Sequence, residues 1–221
     1  MIYITGDKHG QIDTFDAPAY KKLKKSDTLI ICGDFGFIWN SSSEENKLLK
    51  RLQKKKYQIA FLDGRYENFP LLKSYHEEIY CSGKVRRIAS NIVWLQRGEL
   101  YNIEDKKLLV FGGGSAVEGI GEYENVSFLK EAEPEDEQVD LLINNLKRCE
   151  GKVDAILTHE PPLSIKNCLE EEQNDYGSIH ELLEELRNHS DFSQWFFGRY
   201  HLDRKIPPCY RAVFNDVVPL E

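Results

Sequence analysis

No run in this chain reaches the roughly 18 consecutive apolar residues that a membrane-spanning helix requires, so no membrane partner is expected. Cysteine is sparse and unpatterned: Cys32, Cys81, Cys149, Cys168 and Cys209 are odd in number and share no short spacing. That argues against a zinc knot or a disulfide framework and for free thiols in a reducing cytoplasm. Positive charge is not in excess. The net charge is -8 with lysines scattered among acids, so no general nucleic-acid surface is expected, although a local positive pocket is compatible with it. The first apolar run, Ile2-Tyr3-Ile4, follows neither a basic leader nor a cleavage site, which fits a cytoplasmic location. Repeats, linkers and low-complexity segments are also missing. The 221 residues are therefore expected to form one domain, 1–221, burying roughly 70–75% of the unfolded surface.

What is present is a series of short β-branched or aromatic runs, each followed by polar residues that can do chemistry. Ile2 to Thr5 precedes Asp7, and Thr28 to Cys32 precedes Asp34. Tyr57 to Leu62 precedes Gly64, Val153 to Thr158 precedes His159, and Trp195 to Phe197 precedes Gly198. Near-continuous apolar strands are expected where both faces of a sheet are covered, and their carboxyl ends supply ligand-binding loops along one edge. Helical segments separate them. Ser42 and Glu45 read as a capping box before Leu48, Leu49 and Leu52. Pro134 suits the first turn of a helix with the stripe Val139, Leu142, Ile143 and Leu146, and Ser178 with Glu181 suits the start of another. Ile92 to Leu95, Glu99 to Ile103 and Lys107 to Phe111 read as a meander of hairpins, and Tyr210 to Val218 as extended chain. The pattern predicts an α/β fold with two mixed sheets packed face to face between helices.

Five segments then follow in order: Gly6-Asp7-Lys8-His9-Gly10, Cys32-Gly33-Asp34-Phe35-Gly36, Gly64-Arg65-Tyr66-Glu67-Asn68, Thr158-His159-Glu160-Pro161-Pro162 and Gly198-Arg199-Tyr200-His201. Together they resemble the calcineurin-like metallophosphoesterases, whose pattern runs Asp-x-His, Gly-Asp, Gly-Asn-His-Glu, His, Gly-His-x-His. The resemblance covers nearly the whole chain. It implies a four-layer αββα sandwich and a pair of divalent ions, roughly 3.5–4 Å apart, that clamp a phosphate during hydrolysis. Carried over by motif, Asp7, His9, Asp34 and His201 would hold the first ion, which carboxylate and imidazole ligands suit to manganese, iron or zinc. Asp-x-His at a strand end puts both ligands on one face and points Lys8 away.

Three positions depart from the family pattern. The second ion would need Asp34, an asparagine, His159 and a histidine, but Arg65 and Arg199 stand at the asparagine and histidine positions. A guanidinium stays protonated and offers no lone pair, so a complete second metal site is not expected. Tyr66 replaces the histidine that assists the leaving oxygen in this family, and a phenol is a poor acid-base at neutral pH. Two readings of the arginines follow. In one, Arg65 and Arg199 restore the charge of the missing ion and clamp phosphate oxygens through their planar forks. In the other, they pair with Asp34 and Asp7 and close the site.

The remaining polar residues carry weaker signals. His76, His180 and His189 match no motif and read as solvated. Glu67 stands at the family's acidic position, where the resemblance implies orienting a neighbour, while the residue alone equally suits a surface carboxylate; Asp63 and Asn68 read as turn formers. Gly112-Gly113-Gly114-Ser115 lacks the Gly-Lys-Ser/Thr of a P-loop and reads as a flexible turn. Trp39, Trp94 and Trp195 read as core or pocket wall.

The functional expectation is a phosphoesterase using one retained metal, with Asp34, Arg65, Tyr66 and Arg199 as catalytic candidates. Its substrate would be a phosphorylated small molecule or nucleotide. The alternative is a catalytically impaired relative that binds a phosphate, a nucleotide or a protein on the same scaffold. Specificity is expected in the loops 112–123 and 161–176.

Overall fold

The computed structural model describes residues 1–115, 130–169 and 177–221; the rest of both expected specificity loops lies outside the described residues. Thirteen strands are described. The first six are β1 (Ile2–Thr5), β2 (Thr28–Cys32), β3 (Gln58–Leu62), β4 (His76–Tyr80), β5 (Gly83–Ala89) and β6 (Ile92–Leu95). Then come β7 (Leu100–Ile103), β8 (Lys106–Phe111), β9 (Lys152–Thr158), β10 (Asp191–Phe197), β11 (Arg204–Ile206), β12 (Tyr210–Ala212) and β13 (Val218–Pro219). One sheet runs β13-β1-β2-β3-β6-β5-β4 and the other β11-β12-β10-β9-β8-β7. Both are mixed. The central pairs β1–β2, β2–β3, β8–β9 and β9–β10 are parallel, and antiparallel strands close the edges.

Period-two burial explains the layers. In β2, Ile30 and Cys32 face the second sheet, while Leu29 and Ile31 face outward into a cluster with Leu49, Leu52, Phe69 and Leu72. Those four come from α2 (Ser43–Gln53) and α3 (Phe69–Lys73). In β10, Phe196 joins the layer between the sheets, while Trp195 and Phe197 pack outward with Leu142, Ile179, Leu183 and Leu186. These outer partners belong to α4 (Asp136–Arg148) and α6 (Ser178–Asn188), with the short α5 (Leu163–Leu169) before α6 and α1 (Pro18–Lys21) near the amino end. Helices thus cover both outer faces of a two-sheet sandwich. No helix among the described residues is long and apolar enough to cross a membrane.

Several local expectations change on contact with tertiary structure. The Ser42 cap forms, its hydroxyl accepting from the Glu45 amide at 3.2 Å. The reciprocal half does not, because the Glu45 carboxylate accepts instead from the amides of Trp39, Asn40 and Ser41. Pro134 lies ahead of α4, whose cap is Glu135, and Ser178 is the first residue of α6 rather than its cap, which is Gly177. The expected central meander is divided: β6 belongs to the first sheet and β7 and β8 to the second, so the chain changes sheets at Arg97-Gly98. Strands β4 and β5, absent from the sequence reading, complete the first sheet's edge. Trp94 and Trp195 are core, but Trp39 is 44% exposed.

Asp63 is not a turn former. It is fully buried at the end of β3, where it accepts from Trp94 Nε1 at 3.0 Å and Arg97 Nε at 2.7 Å. Arg97 also donates to the Glu131 and Glu133 carbonyls, which ties the crossover between sheets to the chain before α4. Breaking a buried pair leaves an uncompensated charge, so Asp63→Ala is expected to lower unfolding stability by about 3–5 kcal/mol in denaturant titration. A loss below about 1 kcal/mol would mean that Arg97 finds water or another partner. Asn68 does serve locally, capping α3 by accepting from the Leu71 amide at 3.0 Å.

Candidate active site

The parallel strands deliver the motif residues to one edge. Asp7 and His9 follow β1, Asp34 follows β2, Arg65 follows β3, His159 follows β9, and Arg199 and His201 follow β10. Three of these residues hold left-handed backbone, with φ of 46° at His9, 35° at Asp34 and 50° at His201. Non-glycine residues rarely adopt it, and such strain persists where surrounding contacts enforce it at functional sites. Here the Asp34 carbonyl accepts from the amides of both Lys8 and His9, at 3.0 and 2.8 Å. Lys8 does point away, donating to the Phe214 carbonyl at 2.7 Å.

Among the described residues, two groups of side chains that could hold a metal ion result, Asp7 with His9 and His201, and Asp7 with Asp34 and His159; the candidate ligand atoms within each group lie within 4.8 Å of one another. Asp7 is the shared member. In the first group His201 Nε2 lies 3.2 Å from Asp7 Oδ2 and 2.9 Å from His9 Nε2, with the His201 ring stacked on Phe214. In the second, His159 is fully buried, its Nδ1 at 3.3 Å from the Cys32 carbonyl and 3.4 Å from Asp7 Oδ1. Nδ1 is thus the His159 nitrogen that faces Asp7. Asp34 joins the groups, with Oδ2 at 3.9 Å from His9 Nδ1, while its Oδ1 accepts from the Tyr66 amide at 3.0 Å.

The electrostatics match this arrangement. Burial alone would raise the Asp7 carboxyl, but His159, His201 and His9 hold it well below the usual carboxylate range. Burial alone would lower His159, yet Asp7, Asp34 and Glu160 push it up to about 10. Burial and the neighbouring Asp34 charge raise Glu67 well above its ordinary value, and its Oε1 accepts from the Phe35 amide at 2.7 Å. Glu67 thus does orient a neighbour, the loop that carries Asp34. Asp7 Oδ1 and His159 Nε2 are buried without hydrogen-bond partners. Orphaned buried ligand atoms beside clustered carboxylates fit a divalent cation.

Arg65, Tyr66 and Arg199 border these groups. Arg65 is 2% exposed, and its Nε and Nη2 are buried without a partner. Arg199 lies 3.3 Å through Nε from Glu160 Oε1. Among the described residues, neither guanidinium is within ion-pair distance of Asp7 or Asp34, although against the opposing effect of burial Glu160, Asp34 and Asp7 together raise Arg199. Tyr66 is 44% exposed, its ring centroid 6.0 Å from the Arg65 guanidinium carbon.

Gly112 to Ser115 is a packed passage and not a flexible turn. All four residues are buried, and the Gly113 and Gly114 amides donate to the Asp63 and Ala132 carbonyls, each at 2.9 Å. A Cβ at Gly114 would collide with Arg65 Cγ and lie 3.0 Å from Glu160 Oε1, so only glycine lets the strand end pass between them.

The sequence reading assigned no role to Glu160 and read His180 as solvated. Both are buried, at 3% and 2% exposure. His180 is held at 2.9 Å from the Pro161 carbonyl, and its Nε2 is 3.9 Å from Glu160 Oε2. Its place on the buried stripe of α6, one residue after Ile179 and three before Leu183, is the signal that was available. His189 is exposed, as expected.

A family model described as calcineurin-like phosphoesterase matches residues 1–201. A search of curated proteins returned no match. The family match spans both ligand groups and agrees with the two mixed sheets and their flanking helices: the chain belongs to the calcineurin-like phosphoesterase family.

Proposed function

We propose that the protein hydrolyses a phosphate ester through one metal held by Asp7, His9, Asp34 and His201, with Arg65 and Arg199 clamping the phosphoryl group where relatives place a second ion. The family supports phosphoester hydrolysis in general, and the Asp/His groups supply a possible metal site. The observation that carries the finer reading is Arg65: a guanidinium 2% exposed, with two buried nitrogens lacking a hydrogen-bond partner, one residue after Gly64, which packs on the Asp34 carboxylate. A buried donor left unpaired costs about 1–3 kcal/mol, more when charged, so it is retained where a ligand completes it.

A bound divalent ion would supply Lewis acidity and acidify a water molecule. The chain's own residues do the rest. His159, fully buried, presents Nδ1 to Asp7 at 3.4 Å. Arg65 and Arg199 offer fixed positive charge to oxygens on which negative charge accumulates in the transition state. Tyr66, exposed at the rim, can donate a hydrogen bond to the leaving oxygen but transfers a proton poorly at neutral pH. The second reading, a module that binds a phosphate, a nucleotide or a protein without turnover, is favoured by that exposure of Tyr66 at the leaving-group position.

The test is Arg65→Met, which keeps the apolar stem and removes the charge. Inorganic phosphate affinity, measured by calorimetry on the metal-loaded protein, is expected to fall about 10- to 100-fold, the value of a charge-assisted bidentate contact. Unchanged phosphate affinity would end the clamp reading. Turnover of an aryl phosphate by the wild-type protein decides between enzyme and binder.

A further inference from the structure

The two arginines of the clamp are held differently, and the difference assigns a role to Glu160. Arg65 needs no brace: it is enclosed at 2% exposure, with the Gly114 backbone packed against its stem. Arg199 is a long side chain at 36% exposure, and an unrestrained guanidinium at that exposure samples many rotamers. Its fixed neighbour is the Glu160 carboxylate, 3.3 Å from Nε. Glu160 is itself buried, at 3% exposure. It follows His159 directly in the chain, its backbone carbonyl accepts from Thr158 Oγ1 at 2.6 Å, and Gly114 lies against Oε1. On the far side His180, anchored to the Pro161 carbonyl, stands 3.9 Å from Oε2.

We propose that Glu160 is the positioning residue for Arg199: its carboxylate occupies the Nε edge of the guanidinium and leaves the two Nη groups to meet a phosphoryl oxygen. This rests on the clamp reading above and extends it to a residue outside the family motif set. The geometry supports a brace over a simple surface ion pair. A carboxylate at 3% exposure cannot swing to follow its partner, so the pair is fixed from the protein side. Ordering Arg199 before the ligand arrives lowers the entropy lost on binding. The chain position is also telling: Glu160 and the metal-ligand candidate His159 are consecutive at the end of β9, so one strand end sets both the ligand nitrogen and the brace.

A double-mutant cycle in the full-length, manganese-loaded protein tests this, with inorganic phosphate as the titrant. Glu160→Gln is expected to weaken phosphate binding about three- to tenfold in the wild-type background, the cost of re-ordering one long side chain. In an Arg199→Ala background the same change is expected to have less than about a twofold effect, since the residue it positions is gone. Equal losses in both backgrounds would overturn the proposal, because Glu160 would then act on the site independently of Arg199. Tighter phosphate binding by Glu160→Gln would also overturn it, because the carboxylate would be competing with phosphate for the guanidinium. If Arg199→Ala alone binds phosphate like the wild type, the clamp itself fails at Arg199 and the proposal falls with it. That pattern is distinct from the other two.

A measurement on the unmodified protein covers the case in which the buried variant does not fold. Without phosphate, the Arg199 Nε–H group is expected to show restricted ¹⁵N relaxation, close to that of the buried Arg97. An Arg199 Nε–H as mobile as that of an unpaired surface arginine would overturn the proposal.

Discussion

Replacing Arg65, Tyr66 and Arg199 together with Asn, His and His is expected to raise phosphoesterase activity by about 10²- to 10⁴-fold. The magnitude comes from the leaving-group position, where a correctly placed acid or base contributes that much. The substitutions also supply lone pairs that guanidiniums lack: an amide oxygen at position 65 and an imidazole nitrogen at position 199. These would complete the group that already contains Asp7, Asp34 and His159, whose Nε2 lacks a partner. Metal content is expected to rise from one ion per chain to two. The reversion has a cost, since Glu160 loses its Arg199 ion pair, so a drop in thermal midpoint of a few degrees accompanies the gain. A folded triple variant with a second bound ion and unimproved turnover would refute the assignment of these three positions to the second metal and leaving-group half of the site.

Asp34→Asn is expected to cost more than about 100-fold in both metal affinity and turnover, since loss of outer partners alone costs 10- to 100-fold. The side-chain shape is kept, and the amide oxygen can still accept from the Tyr66 amide, so the loop fold should survive. What disappears is the charge facing His9 Nδ1 at 3.9 Å. Elemental analysis after dialysis, alongside aryl phosphate turnover, reads both effects. Retention of stoichiometric metal and full activity with a native circular dichroism spectrum would contradict the assignment of Asp34 as a ligand.

The legible part of this molecule was local. Strand ends could be read because β2, β3, β9 and β10 are short apolar runs with both faces covered, and each stops where a polar motif residue begins. Asp7, His9, Asp34, His159 and His201 were named as ligands by the family resemblance of the motifs at those stops, and the structure brings them close together in two groups that could hold a metal ion. Less visible was anything decided by a partner distant in sequence. Asp63 looks like a turn residue until Arg97, 34 positions later, is folded onto it. His180 looks solvated until the α6 stripe seats it under Pro161. The glycines at 112–114 look permissive, but the backbone there passes between groups brought in by three other strand ends.

By itself the sequence determined the α/β class and the order of the strand-end motifs, and through the family resemblance it named the candidate metal ligands and the chemical misfit of three positions. Those properties depend on residue type and on alternation along single strands. Only tertiary structure decided that Arg65 is buried with Nε and Nη2 lacking hydrogen-bond partners and that Glu160 is the carboxylate nearest Arg199 Nε. It also decided that β6 and β7 part into different sheets. The physical reason is that ion pairing and burial depend on separations of a few ångströms between segments tens of residues apart. Neither propensity nor spacing along the chain encodes those separations.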